Sequence, residues 1–432
     1  MTDTADMIDV DAMRGQGMDF TFTPEQDGLR AALGRALTRS YDLDHRKEII
    51  ASPTGWSEDV WTTLVDMGLT AIPFPEAVGG AAGSIVDLVA AAEVLGAHIV
   101  VEPWVPSVVL AGGVLAAVVE RSGASAGGGT EDAGLAAHWL TQIAEGSVVA
   151  ALAHEEGRGT PDPSLVRTTA EAVPASAGDS GHVLTGEKAA VLAGASAEVL
   201  VVTAQLDGKL AVFLVERGAG GGDAARSGDA ARGGGAAWDS GAARTGGASG
   251  GGSAITAQEF TTIDGRRAAH LRFDRTPALL LAADSEDLVR DALGGAVVVL
   301  AAEAVGAMER LLATTAEYVA TRKQFGVPIG SFQAIAHRLA DMKIAFTKAN
   351  ATLLYTTALA EAGLLTPRDV SVLKAQVGRY GRELGEAAIQ NHGGVGMTDE
   401  LVVGHLHTRI LAVNALLGPA EYHQRVLGAP RT

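Results

Sequence analysis

Hydrophobic and polar positions along the chain fall into three textures. Near the N-terminal end, Thr23, Pro24 and Gln26 have the make-up of a helix start: a capping hydroxyl, a proline suited to the first turn, and an amide that can reach back. The segment GWSEDVWTTLVDMGLTAIPFPEAVGG then places Val60, Leu64 and Met67 on one helical face before Gly68, Pro73 and Pro75 break it. Ala- and Leu-rich patterning continues to about Ala144, so the first third is expected to be helical. From Ser147 the pattern turns to short Val-rich runs separated by Gly, Asp and Pro, as in HVLTGEKAAVL, AEVLVVTAQ and KLAVFLV, which read as strands of a small antiparallel β unit. Beyond the strand-like AHLRFDR, apolar-faced segments at 285–321, 331–363, 367–390 and 398–416 predict a four-helix bundle, with Thr366, Pro367 and Asp369 repeating the helix-start chemistry. The expected fold is therefore α+β and multidomain: an N-terminal α-helical domain over 1–146, a middle antiparallel β domain over 147–282, and a C-terminal four-helix bundle over 283–432.

Composition supports this and narrows the partners. A chain of 432 residues exceeds what one core usually supports, and with 47% apolar but only 4% aromatic residues the core must be built from Ala, Val and Leu, as closely packed helices allow. The tract 218–253 is Gly-, Ala-, Ser- and Arg-rich, with almost no large apolar side chains to offset the cost of ordering it, so a disordered insertion is expected there. Its glycines carry no Gly-x-x-x-x-Gly-Lys-Ser/Thr run that would cradle a phosphate. A formal charge of −18 disfavours nucleic acid and anionic membrane surfaces. The apolar run from Pro106 to Val119 is short for a bilayer span and reads as buried helix. Without cysteine, disulfides and thiolate chemistry are excluded, and with an acidic start unlike a signal peptide the expected compartment is the cytoplasm.

Candidate chemistry is concentrated in RKQFGVPIGSFQAIAHRLADM at 322–342 and QNHGGVGMTDE at 390–400. Arg322 offers a planar, permanently charged fork suited to a pyrophosphate, and Phe325 an aromatic surface against which an adenine can pack. Gln324, Gln333 and Gln390 add neutral donors and acceptors, while Gly393 and Gly394 let a backbone approach a bulky ligand without a Cβ in the way. Together they describe a dinucleotide clamp. The competing reading makes Arg322 and Lys323 solvated charges at a helix end and Phe325 and Phe332 core residues.

The same words, with MDFTFTPEQ at the start and the GL…PFPEAVGG ending of 61–80, resemble the acyl-CoA dehydrogenase family over essentially the whole chain. The resemblance implies FAD as cofactor, an acyl-CoA substrate, and α,β-desaturation, in which a carboxylate removes an α-proton while the flavin takes the β-hydride. It also implies a tetramer in which the clamp residues reach a neighbouring chain's FAD, with an electron-transfer flavoprotein as electron acceptor.

Against that pattern the chain departs at three places. Where many members carry the base in a Tyr-Glu-Gly-Thr segment, LLGPAEYHQRV puts Leu417 or Gly418 at that position, and the alternative base position on the first bundle helix falls near Ala296. Glu303 lies about two turns further along that helix and Glu421 about one turn beyond the lost base; Glu421 is the weak candidate for a relocated base. AHEEGRG at 153–159 replaces the family's Thr-Glu-Pro…Gly-Ser, and Ala189, Ala190 and Val191 stand where a flavin-facing Trp-x-Thr/Ser follows the Gly-x-Lys. This combination is similar to the smaller subunits of α2β2 acyl-CoA dehydrogenases, whose homologous catalytic partner supplies the flavin-ring pocket and the base; such complexes include enzymes of steroid side chains. GHLHTR at 404–409 and GPAEYHQR at 418–425 resemble those subunits too. An active homotetramer with a relocated base and a flavin-free scaffold are the other two readings. His392, His405, His407 and His423 lack the i,i+4 pairing of a helical zinc site, so they are expected at interfaces or in packing and no metal is assigned.

Overall fold

The computed structural model describes residues 21–123, 131–157, 161–173, 181–217 and 254–429. The expectations for the acidic start and for the Gly-rich tract 218–253 fall outside the described residues. Helix α1 (Pro24–Ser40) opens on the capping box read from the sequence, Gln26 N–H donating to Thr23 Oγ1 at 3.3 Å and Thr23 N–H to Gln26 Oε1 at 3.0 Å. After α2 (Leu43–Ala51), α3 (Glu58–Asp66) buries Val60, Trp61 and Leu64. Helix α4 (Ile85–Ala97) leads to a π-helical turn (Val105–Ala111) that runs into α5 (Gly112–Ser122), and α6 (Glu131–Ala144) completes the first domain. The stretch Val105–Ser122 is longer than the sequence pattern implied and is apolar enough to cross a membrane by length and composition, yet 67% of it is buried within the protein. It is the core helix of this domain.

The middle domain runs from β1 (Ala150–Ala153) through β2 (Thr169–Ala172), β3 (His182–Leu192), β4 (Val199–Leu206), β5 (Lys209–Glu216) and β6 (Ala254–Thr261) to β7 (Arg267–Ala282). Most pairings are antiparallel, as expected, with β1 running parallel to β4 and β2 touching β4 in parallel. Because β5 pairs with both β7 and β4, the sheet closes on itself around a small core that includes Leu184, Leu200, Phe213 and Phe273. That closure leaves few free strand edges.

The last domain is a bundle of α7 (Glu286–Thr321), α8 (Gln333–Glu361), α9 (Pro367–His392) and α10 (Val402–Ala415), to which the short α11 (Ala420–Gly428) is added. Thr366 and Asp369 form the predicted capping box of α9. Helix α7 crosses α4 at backbone contact: a Cβ added to Gly96 would lie 1.9 Å from Glu303 O, and one on Gly306 1.9 Å from Glu93 O. Only glycine permits so close an approach, and it fixes the whole of α7, with Ala296 and Glu303 in its buried stretch, against the first domain.

Candidate cofactor clamp and base position

Helix α7 ends at Arg322, and the chain turns at once into a short hairpin, Lys323–Gln324 pairing with Val327–Pro328. Its two-residue loop needs positive φ at both positions, which Phe325 (φ 52°) and Gly326 (φ 83°) supply. A bulky residue in the left-handed region is strained, and Phe325 is also 93% exposed, so neither backbone preference nor burial accounts for it here. Phe332, 38% exposed, meets it edge-on at 6.1 Å. The reading of both as core residues is overturned by this exposure. Among the described residues the Arg322 guanidinium has no hydrogen-bond or ion-pair partner. Gln324 Nε2 donates to Lys323 O at 2.9 Å, and Gln333, first residue of α8, faces solvent beside His337.

The second segment closes α9. Gly393 adopts φ 65°, ψ −146°, a conformation reserved in practice for glycine, and a Cβ placed on Gly393 or Gly394 would meet no heavy atom within 4 Å, so the backbone there is open to a ligand. Gln390 is exposed on the preceding turn, and Met397 is 80% exposed just beyond. The two segments meet at one end of the bundle: Tyr318, four residues before Arg322, stacks on His392 with ring centroids 4.2 Å apart, and Arg338 Nη1 donates to Asn391 Oδ1 at 3.2 Å. A lone guanidinium, an exposed aromatic and an open glycine backbone on one surface fit the adenosine diphosphate of an FAD.

Leu417, at the position where many members of the resembled family carry their base, takes φ 52° and is 6% exposed. Its N–H donates to Glu155 Oε1 at 2.9 Å. Its carbonyl lies 3.0 Å from His423 Nε2; a carbonyl only accepts, so that nitrogen carries the hydrogen and His423 Nδ1 accepts from the Ser371 hydroxyl at 3.2 Å. Burial pushes His423 down to about 4, which keeps it neutral. Lys374, one turn along α9 from Ser371, donates to Val413 O at 2.6 Å and Asn414 O at 3.0 Å; burial lowers its pKa to about 7, against the pull of Glu155. Burial raises the Glu155 carboxyl, with the Leu417 N–H and Lys374 acting in the opposite direction. A cavity of about 750 Å³ opens beside Leu417, walled by Val297, Leu365, Val370, Ser371 and His423.

Neither acidic residue noted from the sequence reaches this place. Glu303 is 1% exposed, accepts from Arg266 Nη2 at 2.6 Å and Arg409 Nε at 3.0 Å, and is bonded again to Arg409 Nη2. Burial would raise its pKa, but Arg266 and Arg409 outweigh it and hold Glu303 ionised below the usual range. It is a structural anion. The weak candidate base Glu421 also lies elsewhere: its carboxylate pairs with Arg382 at 3.1 Å, half exposed, and lines no part of the cavity. Glu155 was missed because 262 residues separate it from Leu417, and no local pattern signals the contact.

On the β domain, Val191 points into the closed sheet and Ala190 is exposed with φ 50°, its N–H donating to His270 Nδ1 at 3.3 Å. Lys188 beneath them is fully buried and bonds Glu156 at 2.6 Å and His154 O at 3.0 Å. Burial lowers its pKa to about 8, with Glu156 pulling it back up. His154 and Glu156, on either side of Glu155 in the chain, wall a second cavity of about 860 Å³.

A helical domain, a closed β unit and a helical bundle in this order, carrying these two segments, define a flavoprotein dehydrogenase architecture. Residues 23–147 match the model "Acyl-CoA dehydrogenase, N-terminal domain" and residues 287–430 match "Acyl-CoA dehydrogenase, C-terminal domain"; the chain belongs to the acyl-CoA dehydrogenase family, oxidoreductases acting on CH–CH bonds. Acyl-CoA dehydrogenase FadE27 of Mycobacterium tuberculosis (strain ATCC 25618 / H37Rv) is 27% identical over 424 residues, covering 95% of this chain and 98% of that protein. Among solved structures, the ChsE4-ChsE5 complex from Mycobacterium tuberculosis superposes with TM-score 0.77 at 25% identity, covering 96% of this chain and 100% of that one. A variant of the Tcur3481-Tcur3483 steroid ACAD gives TM-score 0.75 at 24% identity over 94% and 96% of the two chains. The FAD complex of PigA shares the fold with TM-score 0.75 at 20% identity over 95% and 98%; with the family match it supports FAD as the cofactor.

Proposed function

We propose that this chain is the subunit lacking its own base in a heterotetrameric, FAD-dependent acyl-CoA dehydrogenase. In this reading it lends Arg322, Gln324, Phe325, Gln333, Gln390 and the Gly393–Gly394 backbone to an FAD whose ring lies in a homologous catalytic partner. The observation that carries the reading is the contrast between two ends of one bundle. At one end the clamp residues are exposed and open. At the other, an apolar Leu417, 6% exposed, stands at the base position.

When bound, FAD supplies the acceptor for the β-hydride of an acyl-CoA thioester. Arg322 would offer its fork to a pyrophosphate, Phe325 and Phe332 would present apolar surface to the adenine, and the Gly393–Gly394 backbone would leave room for the nucleotide to approach. The partner removes the α-proton. Steroid-side-chain or similarly bulky acyl-CoA is the proposed substrate class, supported by the steroid ACAD among the neighbours. The heteromeric ChsE4-ChsE5 complex supports a two-chain assembly, and an electron-transfer flavoprotein is the proposed acceptor.

Co-expression of this chain with its homologous partner tests the reading. The complex is expected to hold flavin, fewer than one per chain, and to desaturate acyl-CoA, while this chain alone holds little flavin and does not turn over. A second reading, an active homotetramer with a relocated base, is favoured by one observation: Glu155 Oε1 is 2.9 Å from Leu417 N. It requires that the lone chain turn over with flavin and that Glu155→Gln abolish that activity.

A further inference from the structure

Both clamp segments end in solvent-exposed loops, and loops hold contacts to a cofactor only if something packed behind them fixes their geometry. Tyr318 lies on the last turn of α7 and is four residues before Arg322. Its ring stacks on His392, the last residue of α9 and the neighbour of Gly393, with centroids 4.2 Å apart and planes at 24°. His392 is 5% exposed, and its Nδ1 lies 2.9 Å from Ala388 O; the carbonyl only accepts, so Nδ1 carries the hydrogen and the ring plane is set from its own helix. A second tie runs alongside. Arg338 on α8 donates to Asn391 Oδ1 at 3.2 Å, and Asn391 Nδ2 sits 3.6 Å from Met342 Sδ. The helices on either side of the 322–332 hairpin thus each grip the end of α9.

We propose that Tyr318 and His392 are positioning residues for the FAD clamp, setting the spacing between the Arg322 guanidinium and the Gly393–Gly394 backbone without touching the nucleotide. This rests on the clamp reading above. The stack acts on affinity because both loops must engage one nucleotide at once; a shift of either leaves the other correctly placed but unable to engage. In that respect the pair differs from an ordinary packing contact.

The test uses the complex of this chain with its catalytic partner, stripped of flavin and titrated with FAD by fluorescence quenching, with ADP as a competitor and urea unfolding as a separate readout. His392→Ala is expected to weaken FAD and ADP binding about tenfold, the scale of a ring–ring contact, and His392→Phe, which keeps the ring but not the Nδ1 hydrogen bond, to restore it to within about twofold. Tyr318→Leu reaches the same stack from α7, so the test survives if the His392→Ala complex does not assemble. Arg322→Ala serves as the control. If Arg322→Ala weakens FAD binding while His392→Ala and Tyr318→Leu change only the urea midpoint, the positioning role is overturned and the clamp stands. If Arg322→Ala leaves binding unchanged, the clamp falls and the positioning role falls with it.

Discussion

In the proposed clamp, Phe325 separates function from stability at the scale of one residue. It holds a left-handed backbone and an almost fully exposed ring, two unfavourable features that folding alone does not select. Phe325→Gly is therefore expected to leave stability unchanged or raise it by up to about 1 kcal/mol, while weakening FAD retention in the complex; thermal melts paired with flavin retention check both halves. Arg322→Ala should loosen FAD by about 10- to 100-fold through loss of a bidentate charge-assisted contact. A third expectation concerns His154. It is fully buried, its Nε2 donates to Pro161 O at 3.0 Å, and burial first, then Lys188, lower its pKa to about 4. Because the folded value lies below the unfolded one, the unfolded chain binds more protons between about 4 and 6.5, so stability falls as pH drops through that window. The contribution is on the order of 3 kcal/mol, and His154→Gln should flatten the dependence of the urea midpoint on pH there.

Among the elements, α7 does the most joining. Its Glu303 meets Arg266 from the end of the β6–β7 turn and Arg409 from α10, while Arg409 also bonds Asp264 and Arg46 on α2 donates to Asp264 O at 2.5 Å. One buried carboxylate on α7 thus ties the β domain to the bundle, and Asp264 carries the tie on to the first domain. Removing one partner of such a set leaves buried charge uncompensated, so Glu303→Ala is expected to cost about 3–5 kcal/mol in urea unfolding. A base role would instead show as lost turnover with stability intact. The helix starts were readable from the sequence because capping is local: Thr23 with Gln26 and Thr366 with Asp369 satisfy each other three residues apart. The strand runs were readable from their Val-rich texture. What local pattern could not carry was long-range: β1 alongside β4, the ion network that holds Glu303, and the Glu155–Leu417 bond. Sequence spacing placed Glu303 and Glu421 near the base position, but only packing decides where a carboxylate points.

At the scale of the whole molecule, the candidate site was legible to a comparable degree. The residues of both clamp segments stood out as motifs, and the structure brings their ends together through Tyr318, four residues before the first, and His392, within the second, a contact that no local spacing signals. Leu417 at the family's usual base position was legible; the carboxylate that accepts from its backbone N–H was not. An exposed clamp and an apolar base position in one chain make sense if the catalytic apparatus is divided between two homologous chains. The most direct test is flavin content and acyl-CoA desaturation measured on this chain purified alone and on the complex with its homologous partner. A divided catalytic apparatus predicts no turnover and little flavin in the lone chain, with activity and fewer flavins than chains in the complex. Full flavin occupancy with turnover by the lone chain would contradict it.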